Sequence, residues 1–464
     1  MKLFNTLTRK KEVFTPLDGS TARIYTCGPT VYGTPSIGNM RAYIFTDILK
    51  KSLEYIGFDI NDIINTTDVG HLQSDADEGE DKIEVAARKA NLDPMQIAKQ
   101  YTDEFLRDCA KLNIRHPKIL APASKYVPQM IEHVSGLEKK GFTYQISDGV
   151  YFDASLFPKY YELSGKKEQK GDKAGARIKM GEKKNQNDFA LWKITKPTAL
   201  QKWDSPWGVG CPGWHIECSA IARHHFGDTF DIHTGGIDHI PIHHTNEIAQ
   251  TQALTNKPVA QFWIHNEFVK VDGKKMSKSL GNVYTIPQLE EMGFNPLAYR
   301  YFALGTHYRT IINFTFEALK GAQTGYDNLV RELVRHKTSL INALIAIDFD
   351  EYRKRFHDAI SDDLNTPRAL ALVWELVKNG PNKEIYDLII EFDSVLSLSL
   401  EEAINKEIAK SNVKIPSLVT KIANARMDAK KAKDFKTADK LREEIKTLGY
   451  EIIDTKDGYE ITKI

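Results

Sequence analysis

The sequence has few cysteines and no apolar run long enough to span a membrane. Its 464 residues contain four cysteines, Cys27, Cys109, Cys211 and Cys218, which are too few for a scaffold held by disulfides. No apolar run approaches the roughly 18 residues that a membrane span needs, and the first residues lack the apolar core of a secretory signal. The formal net charge of +1 provides no global attraction to nucleic acids or membranes. We therefore expect a cytoplasmic protein with no membrane partner.

Short apolar strands alternate with a helical pattern near the N-terminus. Residues 24–27 are a strand candidate, and apolar residues recur at helical spacing from Ile37, directly after Ser36, which is a predicted N-cap. Residues 60–64 are a second strand candidate. The order of strand, glycine-containing loop, helix and strand predicts an α/β fold with a parallel sheet. Ligands of such sheets bind at the carboxyl ends of the strands.

Changes in this pattern divide the chain into three predicted regions. Two segments, 75–81 and 166–184, are predicted loops because they are rich in acidic residues and in Lys and Gly, respectively. Later apolar residues recur at helical spacing, and Pro367 lies near one predicted helix start. The predicted regions are an α/β domain at 1–315, with an insertion at about 117–200 and a basic loop region at about 265–315, an α-helical bundle at 316–410, and a small α+β domain at 411–464.

The last region contains a local excess of basic residues. Residues 421–446 hold nine Lys or Arg against five Asp or Glu, and we predict one helix there. Short strand candidates follow at 450–453 and 459–461. A charge run of this size is typical of a solvated helix face and does not by itself indicate RNA binding.

A possible metal site is formed by residues that are far apart in the sequence. His243 and Glu247 stand four residues apart, so they share one face of a helix, and Cys218 lies upstream. Thiolate, imidazole and carboxylate groups all bind zinc. Cys27, at the end of the first strand candidate, is the best fourth ligand. A His/Glu pair at this spacing is usually structural, and the cysteines lack zinc-finger spacing, so spacing alone indicates a metal only weakly.

A compact loop at 274–282 is rich in Lys, Ser and Gly. Ammonium groups, backbone amides and hydroxyls in such a loop can follow a triphosphate as charge develops. Residues 275–279 read K-M-S-K-S, which is a motif of class I aminoacyl-tRNA synthetases. The other motif of that class, H-I-G-H, resembles Ser36-Ile37-Gly38-Asn39. Both histidines are replaced, although hydrogen-bonding capacity is kept.

Further motifs, in order along nearly the whole chain, resemble those of the cysteinyl-tRNA synthetase family. They are 27–32 (C-G-P-T-V-Y), 188–193 (D-F-A-L-W-K), 212–219 (P-G-W-H-I-E-C-S), 231–233 (D-I-H) and 243–247 (H-H-T-N-E). The resemblance implies that ATP, with Mg²⁺, activates L-cysteine with release of pyrophosphate. The cysteinyl group would then be transferred to the 3′ end of tRNA(Cys). It also implies a Rossmann-like catalytic domain with a connective insertion, a tRNA-binding helical bundle, an anticodon-binding C-terminal domain and a monomeric chain.

The resemblance assigns roles to individual residues. The implied ligands of one zinc ion per chain, which would select the substrate thiol, are Cys27, Cys218, His243 and Glu247. The residues implied to position and stabilise the phosphates are Ser36, Asn39, Lys275 and Lys278, and those implied to contact ATP are Gly38, Lys275, Ser277 and Lys278. The residues implied to lie around cysteine are Thr67, Trp214, His233 and Asp238. Arg426 and Tyr450 are candidate anticodon contacts.

Two other functions fit some of these motifs. One is a ligase that joins cysteine to an amino sugar, but the helical region and basic tail beyond residue 400 disfavour it. The other is a non-catalytic RNA-binding relative, suggested by the lost histidines at Ser36 and Asn39. The complete 275–279 motif and the complete set of metal ligands argue against this second alternative. We assign no role to Cys109, and we expect Cys211 in a loop.

Overall fold

The computed structural model describes residues 1–69, 81–165, 182–339, 347–411, 416–455 and 458–463. The predicted loops at 75–81 and 166–184 lie almost entirely outside these residues. The strands are β1 (Lys2–Asn5), β2 (Lys10–Val13), β3 (Thr21–Thr26), β4 (Asp59–Thr66), β5 (Ile119–Pro122), β6 (Thr143–Ile146), β7 (Gly149–Phe152), β8 (Phe189–Ile194), β9 (Gly210–Pro212), β10 (Phe230–Gly236), β11 (Ala260–Asn266), β12 (Val269–Val271), β13 (Lys274–Lys275), β14 (Ile312–Phe314), β15 (Tyr450–Thr455) and β16 (Gly458–Lys463).

The helices dominate the later part of the chain. They are α1 (Ile37–Tyr55), α2 (Lys82–Ala90), α3 (Pro94–Lys111), α4 (Val127–Lys139), α5 (Trp214–Phe226), α6 (His243–Thr255), α7 (Ile286–Glu291), α8 (Pro296–Leu304), α9 (Phe316–Thr338), α10 (Phe349–Ser361), α11 (Thr366–Val377), α12 (Lys383–Leu396), α13 (Leu400–Ser411), α14 (Ser417–Lys431) and α15 (Phe435–Thr447). None of the described helices is both long and apolar enough to cross a bilayer.

A parallel sheet forms the centre of the N-terminal part. Its five strands have the order β11-β10-β3-β4-β5, and each neighbouring pair is parallel. This arrangement confirms the predicted α/β fold. The strand candidate at 60–64 lies within β4, and the candidate at 24–27 overlaps β3 but extends one residue beyond its end. Helix α1 begins at Ile37 behind the N-cap Ser36, as predicted. Because parallel strands end at one edge, the residues after β3, β4 and β10 lie close together.

The region predicted as an insertion divides between two sheets. Strand β5, at Ile119–Pro122, pairs with β4 and belongs to the parallel sheet, so the α/β pattern continues further than the sequence indicated. The following strands form an antiparallel sheet with the order β6-β7-β8-β9. Cys211 lies in β9, where it pairs with Lys193, so its prediction as a loop residue is wrong. The neighbouring Gly and Pro residues gave the short strand the appearance of a loop.

Two compact units make up the chain. The first contains Met1–Tyr326, Ile347–Trp374 and Glu391–Leu398, and the second contains Asp327–Ala346, Glu375–Ile390 and Ser399–Ile464. In the first unit, Trp192 and Trp263 are buried in one apolar core. Burying a side chain of this size stabilises the fold by roughly 3 kcal/mol.

The C-terminal end of the second unit differs from the prediction of one basic helix. Helices α14 and α15 are separated by a turn in which Lys433 has a positive φ of 60°. The carboxylate of Asp434 then caps α15 by accepting from the Thr437 amide. Strands β15 and β16 form an antiparallel pair, which confirms both predicted strands. The one-helix prediction is wrong because a Lys-rich pattern carries no signal for this turn.

Arg426 has a structural role in this end of the chain. Its guanidinium donates to both carboxylate oxygens of Asp454, at 2.7 and 3.0 Å, and its side chain is 4% exposed. Tyr450 is also buried. The prediction that these two residues contact the anticodon does not agree with their burial, because neither offers a free side chain to a base.

Candidate functional site

Four predicted metal ligands meet beyond the carboxyl ends of β3 and β10. Cys27 follows β3, Cys218 lies on α5, and His243 and Glu247 share one face of α6. Their ligand atoms all lie within 4.8 Å of one another. The two Sγ atoms are 3.8 Å apart, and His243 Nε2 is 3.1 Å from Glu247 Oε1. All four side chains point into one buried space.

The chemistry and spacing of these donors fit a tetrahedral zinc ion. Zinc–sulfur bonds of about 2.3 Å place two sulfur ligands roughly 3.8 Å apart, and nitrogen and oxygen ligands lie roughly 3.4 Å apart. The observed separations of 3.8 Å between sulfurs and 3.1 Å between His243 and Glu247 are close to both values. Cys27 Sγ lies 3.9 Å from Glu247 Oε1, which is slightly longer than a mixed edge of roughly 3.6 Å.

The electrostatics of the cluster favour a thiolate at Cys218. Burial alone would raise the pKa of this thiol, but a hydrogen bond from Cys27 and the charge of His243 lower it to about 6. Burial and the neighbouring Cys218 raise the pKa of Cys27. Burial would lower the pKa of His243, but Glu247 and Cys218 raise it to about 10. Because the thiolate is the metal-binding form of cysteine, the lowered pKa of Cys218 favours metal binding by this residue.

His215, which the sequence reasoning missed, orients one ligand. Its Nδ1 lies 2.9 Å from Nδ1 of His243, while Nε2 of His243 faces Glu247. A partner on the second ring nitrogen fixes the orientation of a metal-binding imidazole. The ring of Trp214 also packs on His243, with centroids 4.5 Å apart. The position of His215 between Trp214 and Cys218 in the sequence was the available signal.

A second group of ligand atoms overlaps the first. Cys27 and Glu247 also lie within 4.8 Å of His233 and His244. Cys27 Sγ is 3.2 Å from His244 Nε2, and Glu247 Oε2 is 2.9 Å from His233 Nε2. This group offers one sulfur, whereas the group with Cys218 offers two. Because soft thiolate ligands favour zinc, the group with Cys218 is the better zinc site.

A chain of hydrogen bonds holds His244 in place. Its Nδ1 lies 2.8 Å from His265 Nε2, and His265 Nδ1 lies 2.8 Å from Thr6 Oγ1. Burial lowers the pKa of both histidines well below the usual value, so both rings are neutral. The sequence reasoning missed them, although His244 directly follows His243 and His265 lies near the carboxyl end of β11.

Glycines allow the backbone to approach this cluster closely. A Cβ atom on Gly28 would lie 1.4 Å from the Asn65 carbonyl oxygen, and one on Gly235 would lie 2.6 Å from His239 Nδ1. The Gly28 amide donates to Asn65 Oδ1 at 2.8 Å. No larger residue fits either position without displacing its neighbours. Gly28 thereby fixes the backbone directly after Cys27.

The residues predicted to surround cysteine line this region unequally. His233 is buried against Glu247, and Trp214 is half-buried. Thr67 follows β4 and donates to Glu217 Oε2 at 2.8 Å. Burial raises the pKa of Glu217 well above its usual value. Asp238 is exposed on a short 3-10 helix, Ile237–His239, that follows β10.

The two predicted nucleotide motifs lie side by side. A Cβ atom on Gly38 would meet the sulfur of Met276 at 3.4 Å, and the Ile37 amide donates to the Tyr284 carbonyl at 2.8 Å. Lys275 is exposed on β13, and Lys278 begins the 3-10 turn Lys278–Leu280. The first turn of α1 therefore borders the loop that contains both lysines.

Side-chain bonds give both motifs a defined shape. Ser36 Oγ accepts from the Asn39 amide at 3.2 Å, and Asn39 Oδ1 accepts from the Ser36 amide at 3.0 Å. This reciprocal capping fixes the start of α1. In the basic loop, Asn282 Oδ1 accepts from the Ser277 amide at 2.9 Å, and its Nδ2 donates to the Lys275 carbonyl at 3.0 Å. Ser36 and Asn39 thus have a structural role as well as the predicted one.

Arg41 connects α1 to the segments around this loop. Its side chain is buried, and burial lowers its pKa. The carbonyl oxygens that accept from its guanidinium at the shortest distances belong to Glu267 (2.7 Å), Phe268 (2.8 Å) and Thr310 (2.6 Å). Tyr299, on α8, donates to the Ile37 carbonyl at 2.6 Å. The start of α1 is therefore held from two directions.

Comparisons with known proteins show which family this chain resembles. The family described as tRNA synthetases class I (C) catalytic domain matches residues 13–324, and the DALR domain matches 355–383. Cysteine–tRNA ligase of Borrelia hermsii is 40% identical, with 100% of this chain and 99% of that protein covered. Cysteine–tRNA ligase 1 of Burkholderia lata is 40% identical, with 99% and 96% covered.

Similarity to solved structures supports the fold. Methionyl-tRNA synthetase of Mycobacterium tuberculosis, in complex with methionyl-adenylate, superposes with a TM-score of 0.55 at 15% identity. The superposition covers 83% of this chain and 89% of that one. At this identity the likeness extends to the fold alone.

Proposed function

Because this chain belongs to the cysteine–tRNA ligase family of class I aminoacyl-tRNA synthetases, we propose that it joins L-cysteine to tRNA(Cys). The cysteine carboxylate attacks the α-phosphorus of ATP, and the bond to the leaving pyrophosphate breaks. A ribose hydroxyl at the 3′ end of tRNA then attacks the carbonyl carbon of the adenylate and releases AMP. The observation that supports cysteine as the substrate is the cluster of two thiols, an imidazole and a carboxylate.

In this proposal Cys27, Cys218, His243 and Glu247 hold one zinc ion. A bound zinc ion prefers a thiolate to a hydroxyl, and this preference would select cysteine over serine. The preference matters because an apolar pocket discriminates poorly between near-isosteres. His215 holds the ring of His243 in its ligating orientation.

The remaining walls of the amino-acid site fix the small substrate. Trp214 supplies an apolar surface beside His243, and the buried His233 closes the site behind Glu247. Asp238 provides a negative charge for the substrate ammonium, and Thr67 supplies a hydroxyl whose position is set by Glu217. These groups orient the carboxylate toward ATP, and such positioning is a main source of rate in reactions without a protein nucleophile.

The phosphates would lie between the first turn of α1 and the basic loop. The N-terminus of α1 offers backbone N–H groups to an anion, and Gly38 leaves room for the nucleotide. Lys275 and Lys278 neutralise charge that develops on the leaving pyrophosphate, and the Ser277 hydroxyl donates a hydrogen bond to it. Ser36 and Asn39 fix the helix start, and a Mg²⁺ ion bound with ATP would share the phosphate charge.

We assign a role to each of the three predicted regions. Residues 1–315 carry out catalysis, 316–410 contact the body of tRNA, and 411–464 recognise the anticodon. The chain would act as a monomer in the cytoplasm.

The deciding experiment is cysteine-dependent exchange of pyrophosphate into ATP, followed by tRNA charging. Exchange and charging are both expected, and a chelator should abolish both. Exchange without charging would indicate the amino-sugar ligase, whereas no exchange would indicate the RNA-binding relative.

A cysteine variant tests the metal assignment directly. Cys218→Ser is expected to lose bound zinc and to abolish exchange, because one ligand and the thiolate charge are removed. Cys211→Ser is the matched control, since Cys211 is also buried but lies outside the cluster. Zinc content is measured by atomic emission alongside the exchange rate. Near-normal cysteine affinity in Cys218→Ser would refute the assignment.

A further inference from the structure

A second binding space lies within the first unit, between α1, α3 and β4. It is a cavity of about 190 Å³, and the residues proposed above to bind metal, cysteine or nucleotide do not line it. The larger apolar side chains on its wall are Tyr43, Ile64, Phe105, Leu106, Cys109 and Ile114. Tyr43 and Phe105 meet edge to face, with ring centroids 4.7 Å apart.

The charged and polar groups on the cavity wall already have partners. His116 Nδ1 lies 2.8 Å from the Pro117 carbonyl oxygen, and the Thr46 hydroxyl donates to the Ala42 carbonyl at 3.1 Å. Lys50 Nζ lies 2.7 Å from Asp62 Oδ2, and Arg115 donates to Glu54 at 2.7 Å. A water molecule in a protein interior needs two to four polar partners, and paired ions compete poorly for it. The cavity is therefore better suited to an apolar occupant than to water.

We propose that this cavity binds one small, uncharged aromatic molecule with a single ring. A cavity of roughly 150 Å³ lined by Leu, Ile and Phe is known to bind benzene, and the present one is slightly larger. The flat edges of Tyr43 and Phe105 favour an aromatic ring over an aliphatic chain. Burial raises the pKa of Cys109 above the usual value, so its thiol stays neutral and adds only apolar contact.

Two cavity residues link the occupant to strands of the metal centre. The Tyr43 hydroxyl donates to the Cys27 carbonyl at 3.4 Å. Thr46 Oγ1 lies 3.3 Å from Thr234 Oγ1, which in turn lies 2.9 Å from Thr26 Oγ1. These contacts connect α1 to the carboxyl ends of β3 and β10. A bound ring that restrains Tyr43 and Thr46 therefore also restrains the backbone beside Cys27.

Fluorine NMR of fluorobenzene with the full chain tests the binding. The fluorobenzene resonance is expected to broaden, with a dissociation constant on the order of 1 mM. Leu106→Trp fills the cavity and should weaken binding about tenfold or more. Cys109→Met is a milder filling variant if Leu106→Trp unfolds. Leu92→Trp is the matched control, because Leu92 is 42% exposed and outside the cavity. Absence of broadening with the unchanged protein, or equal broadening with a folded filling variant, would overturn the proposal.

Hydrogen–deuterium exchange tests the link to the metal centre without requiring a metal. Fluorobenzene is expected to slow exchange by about twofold or more in peptides covering 21–27 and 230–236, since restrained strands open less often. Tyr43→Phe keeps the ring but removes the hydroxyl, and it should reduce the effect at 21–27. If exchange slowed only in residues 105–117, the bound ring would not restrain the strands beside the metal centre, and the proposed link would be refuted.

Discussion

Replacing Arg41 with Met should destabilise the first unit substantially. The Arg41 guanidinium donates to three carbonyl oxygens at 2.6 to 2.8 Å, and these carbonyls belong to segments on either side of the basic loop. Met has a similar length but no donor, so the substitution removes the charged donor from all three carbonyls. It changes neither the predicted ligands nor the 275–279 motif.

Two opposing contributions set the size of the effect. The Glu267 carbonyl keeps the Asn266 Nδ2 donor at 3.1 Å, and the Phe268 carbonyl keeps the Ile312 amide at 3.1 Å. Losing the donor costs about 1–3 kcal/mol at the Thr310 carbonyl and about 0.5–1.5 kcal/mol at each of the other two, so the total is roughly 2–6 kcal/mol. Removing a buried cation recovers part of its desolvation cost, and the lowered pKa of Arg41 shows that this cost is present. We therefore expect a net loss of about 2–4 kcal/mol in the free energy of unfolding.

Tryptophan fluorescence during urea unfolding is the appropriate assay. All six tryptophans of the chain lie in the first unit, so the signal reports on that unit alone. Arg107→Met is the matched control, because Arg107 is exposed on α3, and it should change stability by less than about 0.5 kcal/mol. If both variants unfolded at the same urea concentration, the carbonyl bonds of Arg41 would contribute nothing and the reasoning would fail.

Three further predictions use other parts of the same unit. Gly28→Ala should reduce zinc uptake and lower the free energy of unfolding by about 3 kcal/mol or more, because the new Cβ would lie 1.4 Å from the Asn65 carbonyl oxygen. Gly33→Ala is the control and should be neutral, because the space around Gly33 is open. Burial lowers the pKa of His133 to about 4, below an unfolded value of about 6.5. The contribution of neutral His133 to the free energy of unfolding is therefore complete above pH 6.5 and decreases as the pH falls toward 4, by about 2 kcal/mol at pH 5. His133→Phe should remove this loss when urea unfolding at pH 5 is compared with urea unfolding above pH 6.5. Ser36→His should change the turnover of pyrophosphate exchange more than the affinity for cysteine, and an effect on affinity alone would argue against a phosphate role.

Helices and strands were predictable where the residues that specify them are close together in the sequence. Apolar spacing and the N-cap Ser36 placed the start of α1, and the three isoleucines within 60–64 placed β4. Their meeting at one sheet edge follows from parallel topology, which requires only the order of strands and helices. The His243 and Glu247 pair also follows from helical spacing once α6 is assumed.

Features that depend on distant partners were not predictable. The bond between Arg426 and Asp454 joins residues 28 positions apart and turns an expected RNA contact into a structural ion pair. His265 orients His244 only because β11 pairs with β10, and no spacing in the sequence encodes that contact. Cys211 lies in a strand because β9 pairs with β8. Pairings of this kind depend on the whole tertiary structure.

The separation of the metal ligands in the sequence has a consequence for the order of folding. Cys27 and Cys218 are 191 residues apart, and they meet only after β3 and β10 have paired. Closing so long a loop is entropically unfavourable until other contacts have formed. The cluster therefore cannot act as a folding nucleus, in contrast to zinc fingers, which are unfolded without metal. A metal therefore binds here late in folding, and it stabilises a sheet that has already formed. At a free metal concentration about a thousandfold above the dissociation constant, it adds about 4 kcal/mol of stability.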